Sequence, residues 1–199
     1  MSNTFPPASD QWRNRYLLMR HGHSQANQQG LIISSPERGL VGYGLSSRGR
    51  EQLDSLLTDW RWAAPARILH SDFLRTTETA ERIAQHFGLR LEPETRLRER
   101  HFGAFEGEGD DRYAEVWARD ALDPAHRHAG VEAVAEVAAR MREVIDQLEQ
   151  RHAGDTFLLV SHGDPLQILL TALEGRELSR HRERVALAPA SITVLGSPL

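Results

Sequence analysis

The chain has 199 residues, a formal net charge of -4, ten histidines and no cysteine. That length suits one α/β domain with a sizeable core, the mild charge points to neither nucleic acid nor an anionic membrane as a partner, and the absent thiols exclude disulfides, thiolate metal sites and a cysteine nucleophile. All 24 basic residues are arginine, which excludes Schiff-base and P-loop lysine chemistry.

Residues 1–14 are polar, contain Pro6 and Pro7, and lack the apolar core of a signal peptide. They read as a frayed leader on a cytoplasmic protein, and no later apolar run approaches the ~18 residues that cross a membrane. Residues 16–19 form a first strand, followed by a polar, glycine-rich stretch over 25–44. Ser46 or Ser47 can cap a helix that carries Leu53, Leu56 and Leu57 at helical spacing to about Trp62. Pro65 interrupts the chain before a short second strand at 66–70. Ser71 or Asp72 then caps a helix with the repeat Leu74, Thr77, Ala80, Ile83, Ala84 and Phe87, closed by Gly88. Residues 89–91 make a third, weaker strand.

Residues 96–109, rich in glycine and charge, read as an active-site loop, and 113–121 as a short helix holding Trp117. A turn-rich connection at 123–130 leads to the longest helix, 131–151, with Val134, Val137, Met141, Val144 and Leu148 on one face. Gly154-Asp155 turns the chain into a strand at 156–160. Asp164-Pro165 opens another helix, with proline tolerated in its first turn, and Gly175 ends it. Residues 191–195 make a last strand, a candidate for a sheet edge. This alternation predicts a single domain over 1–199 in the α/β class. It would be a three-layer α/β/α sandwich around a mostly parallel central sheet, with 104–130 as a short cap over the site. Ligands in such sheets lie beyond the carboxyl ends of the strands, where Arg20-His21 and Ser161-His162 fall.

His21 is a candidate nucleophile, since a neutral imidazole can attack phosphorus and split hydrolysis into two easier steps. Arg20 beside it disfavours the imidazolium, and Gly22 would let the backbone come close to a phosphate. Arg20 and Arg75 can each give bidentate hydrogen bonds to phosphoryl oxygens, supplying the positioning and charge stabilisation that phosphoryl transfer demands. An arginine in a first helical turn opposes the macrodipole, so an intervening anion explains Arg75 more simply than solvent does. Glu99 is a candidate general acid, its pKa raised beside a bound phosphate. His162 can donate to a phosphoryl oxygen. Blander readings compete: a solvated arginine, an exposed glutamate in the charged run 94–100, a buried structural histidine. A metal is a weaker alternative. His21-Gly22-His23 is an H-x-H pattern, with His70, His101, His126 and His128 elsewhere, but alternate strand residues point to opposite faces.

Four motifs then stand in register: Arg20-His21-Gly22, Ser71-x-x-x-Arg75-Thr76, Leu97-Arg98-Glu99-Arg100-x-Phe102-Gly103 and Val160-Ser161-His162-Gly163. Their order and spacing resemble the histidine phosphatase superfamily, and within it the phosphoglycerate mutase-like branch, over roughly residues 16–175. The resemblance implies a phosphorylated His21, a phosphate pocket of Arg20, Arg75 and His162, Glu99 as proton donor, and neither a metal nor an organic cofactor. It extends the phosphate and substrate contacts to Ser24, Asn27 and Gly163, assigns Arg100 to a substrate acid group, and matches Glu106-Gly107 to the close of the acid loop. There are departures. His23 stands where the branch has Glu or Gln, Ala26 where true mutases have Trp, and 107–130 lacks the paired arginines that grip a second acidic group.

The expectation is therefore a phosphomonoester phosphatase acting on a small molecule. The competing enzyme is a cofactor-dependent phosphoglycerate mutase, motivated by Arg100, His101 and Phe102 after Glu99. The competing class is a non-catalytic module that binds a phospho-ligand, against which the intact histidines and glutamate argue. Residues 104–130 mix acids (Glu106, Glu108, Asp110, Asp111, Glu115) with Phe105, Tyr113 and Trp117. Either this is a solvated helix with one buried aromatic face, or the acids repel highly anionic substrates and the aromatics accept a sugar, nucleoside or alcohol.

Overall fold

Alternation of strands with helices along the chain gives the order β1 (Arg15–Arg20), α1 (Gln25–Gln29), α2 (Pro36–Gly39), α3 (Ser47–Thr58), β2 (Arg67–His70), α4 (Leu74–Phe87), β3 (Leu91–Pro93), α5 (Tyr113–Asp120), α6 (Val134–Arg151), β4 (Thr156–Ser161), α7 (Gly163–Leu173) and β5 (Ile192–Leu195). The computed structural model describes residues 12–196. The sheet order is β3-β2-β4-β1-β5. β1 and β2 both run parallel to β4, and β3 parallel to β2, while β5 is antiparallel to β1 at the edge. The sheet is thus mostly parallel, with the expected three layers.

The apolar runs of β1 and β4 are buried on both faces, as in a covered parallel sheet. Strand periodicity divides them. Tyr16, Leu18, Phe157 and Leu159 pack with α6 and α7 on one side. Leu17, Met19, Leu158 and Val160 pack with Leu53 of α3 and Ala80 and Ile83 of α4 on the other. The register pairs Arg20 with Ser161 and His70 with Val160. The carboxyl ends of β1, β4 and β2 therefore finish level, and His21, His162 and Ser71 emerge side by side. Among the described residues no helix is long and apolar enough to cross a membrane.

Several boundaries differ from the sequence expectation. The polar stretch 25–44 contains α1 and α2, too short to show a hydrophobic period. α3 stops at Thr58, and Trp60 and Trp62 turn back edge-to-face over Phe87's side of the core. α4 takes Phe73 as its N-cap, not Ser71 or Asp72. Asp72 is held by Arg98 in a bidentate pair, and Ser71 is engaged by His162. The third strand pairs through Leu91–Pro93, because 89–90 complete the turn out of α4. α6 begins at Val134, since Val131 bridges to Phe102 and the Glu132 amide donates to the His101 carbonyl. The expected leader lies mostly outside the described residues, but Trp12, Arg13 and Asn14 belong to the fold: Trp12 packs on Tyr16, and Arg13 and Asn14 bond to Glu149.

Candidate active site

His21 leaves the end of β1 with its amide on the Ser161 carbonyl at 3.0 Å. Its Nδ1 lies 2.7 Å from the Gly22 carbonyl, which can only accept, so Nδ1 carries the proton. Nε2 is left with its lone pair, facing the Arg75 Nε–H at 3.2 Å. The ring is 3% exposed. Burial, Arg75 and Arg20 hold its pKa well below the usual histidine value, so the ring stays neutral and nucleophilic. Gly22 serves packing more than ligand approach: a Cβ there would lie 3.0 Å from Leu45 Cδ2 and 3.2 Å from the Gly49 carbonyl.

Arg75 reaches the site from the first turn of α4, with Nη2 on the Ile33 carbonyl at 2.9 Å beside the Nε bond to His21. Its Nη1 is buried without a partner. Arg20 donates Nη1 to the Leu187 carbonyl, while its Nε is also buried and unpartnered. A Cβ on Gly163 would stand 3.3 Å from that Nε, so the glycine keeps this approach open. Burial lowers the pKa of both arginines, the cost of holding two cations together in a dry pocket.

His162 follows β4 and is fully buried, its ring 5.2 Å from that of His21. Nε2 hydrogen-bonds with the Ser71 hydroxyl at 2.9 Å, and Nδ1 has no hydrogen-bond partner. Its pKa is also pushed well down, by burial and then by Arg75 and His21. Three buried donor positions, on Arg20, Arg75 and His162, are thus unpartnered, and an oxyanion would satisfy them.

Glu99 closes the ring. Its Oε1 accepts from the Arg100 amide at 3.0 Å, and Oε2 lies 3.6 Å from Arg75 Nη2 and 3.7 Å from His162 Nδ1. Burial is the largest influence on it and outweighs Arg75, so its pKa rises to about 7. A carboxyl poised there can give or take a proton near neutrality. The loop that carries it is pinned from two sides. Ser161 donates to the Leu97 carbonyl at 2.7 Å, and Arg140 of α6 donates to the carbonyls of Arg96, Arg98 and Glu99.

The other expected contacts are placed differently. Ser24 caps α1: its hydroxyl accepts from the Asn27 amide and donates to Asn27 Oδ1, so the Ser24 hydroxyl is engaged within the cap. Arg100 is not brought into the site. It is 0% exposed, doubly bonded to Asp120, and its Nε donates to the Glu132 carbonyl. No nitrogen of its fork is left for a substrate acid group. Glu106 accepts from Ser34 and Ser35, which ties the loop to the chain before α2. Residues 104–130 carry α5, and Phe105, Val116 and Tyr113 join Ile32, Phe102 and Val131 in a small core of their own. Glu108 and Glu115 pair with Arg112 on the surface, and Tyr113 stacks on Trp117. That is the arrangement of a solvated helix with a packed aromatic face. The two rings of the H-x-H pattern diverge, His21 to Gly22 and His23 to the Ser46 hydroxyl. Among the described residues no group of three or more His, Asp or Glu side chains is placed to hold a metal ion. Arg140 carries no local sequence signal, and Ser71 signals a helix cap and its motif but not its bond to His162, since each acts on a residue distant in the chain.

Residues 16–197 match the family described as histidine phosphatase superfamily (branch 1). The chain belongs to that family. A probable phosphoglycerate mutase of Photorhabdus laumondii is 33% identical over 172 residues, 84% of this chain and 77% of that protein. Phosphoserine phosphatase 1 of Hydrogenobacter thermophilus is 30% identical, over 83% of this chain and 79% of its own. Among solved structures, a mycobacterial glucosyl-3-phosphoglycerate phosphatase in complex with VO3 superposes with a TM-score of 0.77 at 26% identity, covering 90% of this chain and 91% of that one. Membership in this superfamily, with relatives named as both phosphatases and mutases, gives the chain a phosphatase- or mutase-type activity.

Proposed function

We propose that this histidine phosphatase superfamily member hydrolyses small phosphomonoesters through a phosphohistidine on His21. One observation carries the reading: the His21 Nε2 lone pair faces a pocket of unpartnered donors on Arg20, Arg75 and His162. In that pocket the two guanidinium groups grip the phosphoryl oxygens. With the Ser71 hydroxyl donating to Nε2 of His162, its Nδ1–H points at the same group. Nε2 of His21 attacks phosphorus as the ester P–O bond breaks, and protonated Glu99 passes its proton to the leaving oxygen. Water then attacks the phosphohistidine, ionised Glu99 accepts a proton from it, and the P–N bond breaks to release phosphate. His21 returns to the neutral tautomer with its proton still on Nδ1.

The placement of Arg100 favours hydrolysis over mutation. A mutase must hold a bisphosphate through reorientation, and the arginine expected to grip its acid group is consumed by Asp120. The named activities of the phosphatase relatives also support small phosphorylated metabolites as the substrate class. The test is phosphate release from a panel of phosphomonoesters between about pH 5 and 8 with EDTA present, beside an assay for conversion of 3-phosphoglycerate to 2-phosphoglycerate with the bisphosphate supplied. Release that survives EDTA and vanishes in His21→Ala is expected. Isomerisation without net release would overturn the hydrolytic reading.

A further inference from the structure

A second buried charge cluster lies directly behind Glu99. Arg100 sits at its centre, with Nη1 and Nη2 on Asp120 at 2.7 and 2.8 Å and Nη1 also 3.4 Å from Asp164 Oδ2. Asp164 belongs to the first turn of α7, two residues after His162. Its other oxygen accepts from Arg182 at 3.2 Å and lies 3.4 Å from His181 Nε2. Arg182 in turn lies over the Trp117 ring of α5 at 3.6 Å. Both ends of the catalytic ring therefore attach to one object. The Arg100 backbone amide holds Glu99 Oε1, and the Arg100 side chain holds the helix that starts at His162.

We propose that Asp164 is a positioning residue for the proton donor Glu99, acting through Arg100 and through its own negative charge. The inference rests on the proposed role of Glu99. Asp164 is permanently ionised: burial opposes its charge, but His181, Arg100 and Arg182 outweigh burial and hold its pKa below the ordinary range. The groups facing Glu99 come from every neighbouring element. Arg20 at the end of β1 and Arg75 of α4 favour its ionised form, as does the Arg100 amide, while Asp164 of α7 disfavours it. The neutral His162 ring stands at 3.7 Å, and Tyr113 of α5 feels the Glu99 charge in its turn. Burial is the first cause that keeps a proton on Glu99, and Asp164 is the anion that adds to it against two arginines, which is what a poor leaving group requires.

The measurement is kcat/KM against pH for Asp164→Asn with glycerol phosphate, whose alkoxide needs a proton, and with 4-nitrophenyl phosphate, whose phenolate does not. The alkaline limb for glycerol phosphate should move down by on the order of one pH unit, costing about tenfold in rate on that side. The loss with 4-nitrophenyl phosphate should be several-fold smaller, with no shift of its limb. Asp164→Glu keeps the charge and should restore the limb. Equal loss on both substrates at every pH would reduce Asp164 to a packing role and overturn the inference, as would an Asp164→Asn profile identical to wild type. Activity that persists in His21→Ala would instead bring down the proposed function, and this inference with it.

Discussion

Two clusters of buried arginine lie back to back in this molecule, and their hydrogen bonds are settled on opposite terms. Around Arg100 every nitrogen of the fork meets an acceptor within the protein, and Asp120 and Asp164 balance its charge. Around His21 each arginine gives one bond to a backbone carbonyl, Arg75 a further one to His21, and a donor position on each of Arg20, Arg75 and His162 is left without a partner. His21, Arg75 and His162 are buried as Arg100 and Asp120 are, so burial alone does not tell a site from a scaffold. The accounting of donors and acceptors does. Unpaired buried donors cost stability and persist where a ligand completes them. A buried ion cluster with all partners present fixes geometry instead.

Substitutions should separate the two clusters, with activity and stability moving independently. His21→Ala removes the proposed nucleophile and should lower kcat by on the order of 10^4-fold or more while the chain stays folded, read by steady-state kinetics beside circular dichroism. Glu99→Gln should lower kcat/KM for alkyl phosphates by roughly 10^2–10^3-fold and spare 4-nitrophenyl phosphate more, a ratio that Gln cannot alter unless proton donation is the role.

Arg100→Met and Arg75→Met form the direct contrast. The first removes the cation that Asp120 and Asp164 share, leaving them only His126, His181 and Arg182, and should cost about 3 kcal/mol in urea unfolding. The second removes a cation whose burial already disfavours its charge, so it should cost much less stability and most of the activity. Loss of stability in the reverse order would break the comparison. Phosphate or vanadate at about a hundredfold above its Kd should stabilise the wild-type protein by about 2.7 kcal/mol. That gain should disappear in Arg75→Met and survive a substitution of the surface residue Arg112.

A further expected effect is a pH dependence of stability. The Glu99 pKa is raised from 4.5 to about 7 in the folded protein, so between those values the unfolded chain binds fewer protons and folding is weakened as pH rises. Wild type should therefore lose ground to Glu99→Gln progressively from about pH 4.5 to 7 and hold a constant deficit above that. His21 and His162 act the other way. Buried and neutral, they let the unfolded chain take up more protons as pH falls below 6.5, and stability drops on that side.

Much of the candidate site is legible in the residues because it sits at element ends. A continuous apolar run broken by Arg-His-Gly, and another by Ser-His-Gly, place two histidines at adjacent strand termini once the strands are parallel. Arg75 is legible because a cation in a first helical turn begs for an anion. Arg100 was misread for an equally physical reason. Its position beside Glu99 is local, but its partners Asp120 and Asp164 are 20 and 64 residues away, and no local pattern announces them. The cap of α4 failed in the same way, since Ser71 is taken by His162, 91 residues on. Side chains committed to distant partners are where a linear reading stops.

The central claim is a covalent phosphate on Nε2 of His21. Enzyme mixed with a phosphomonoester, quenched in alkali within the first turnover and mapped by mass spectrometry should show one acid-labile phosphate on the peptide containing His21, absent after a long chase as free phosphate accumulates. Full turnover with that peptide never modified, or with the phosphate on another side chain, would contradict it.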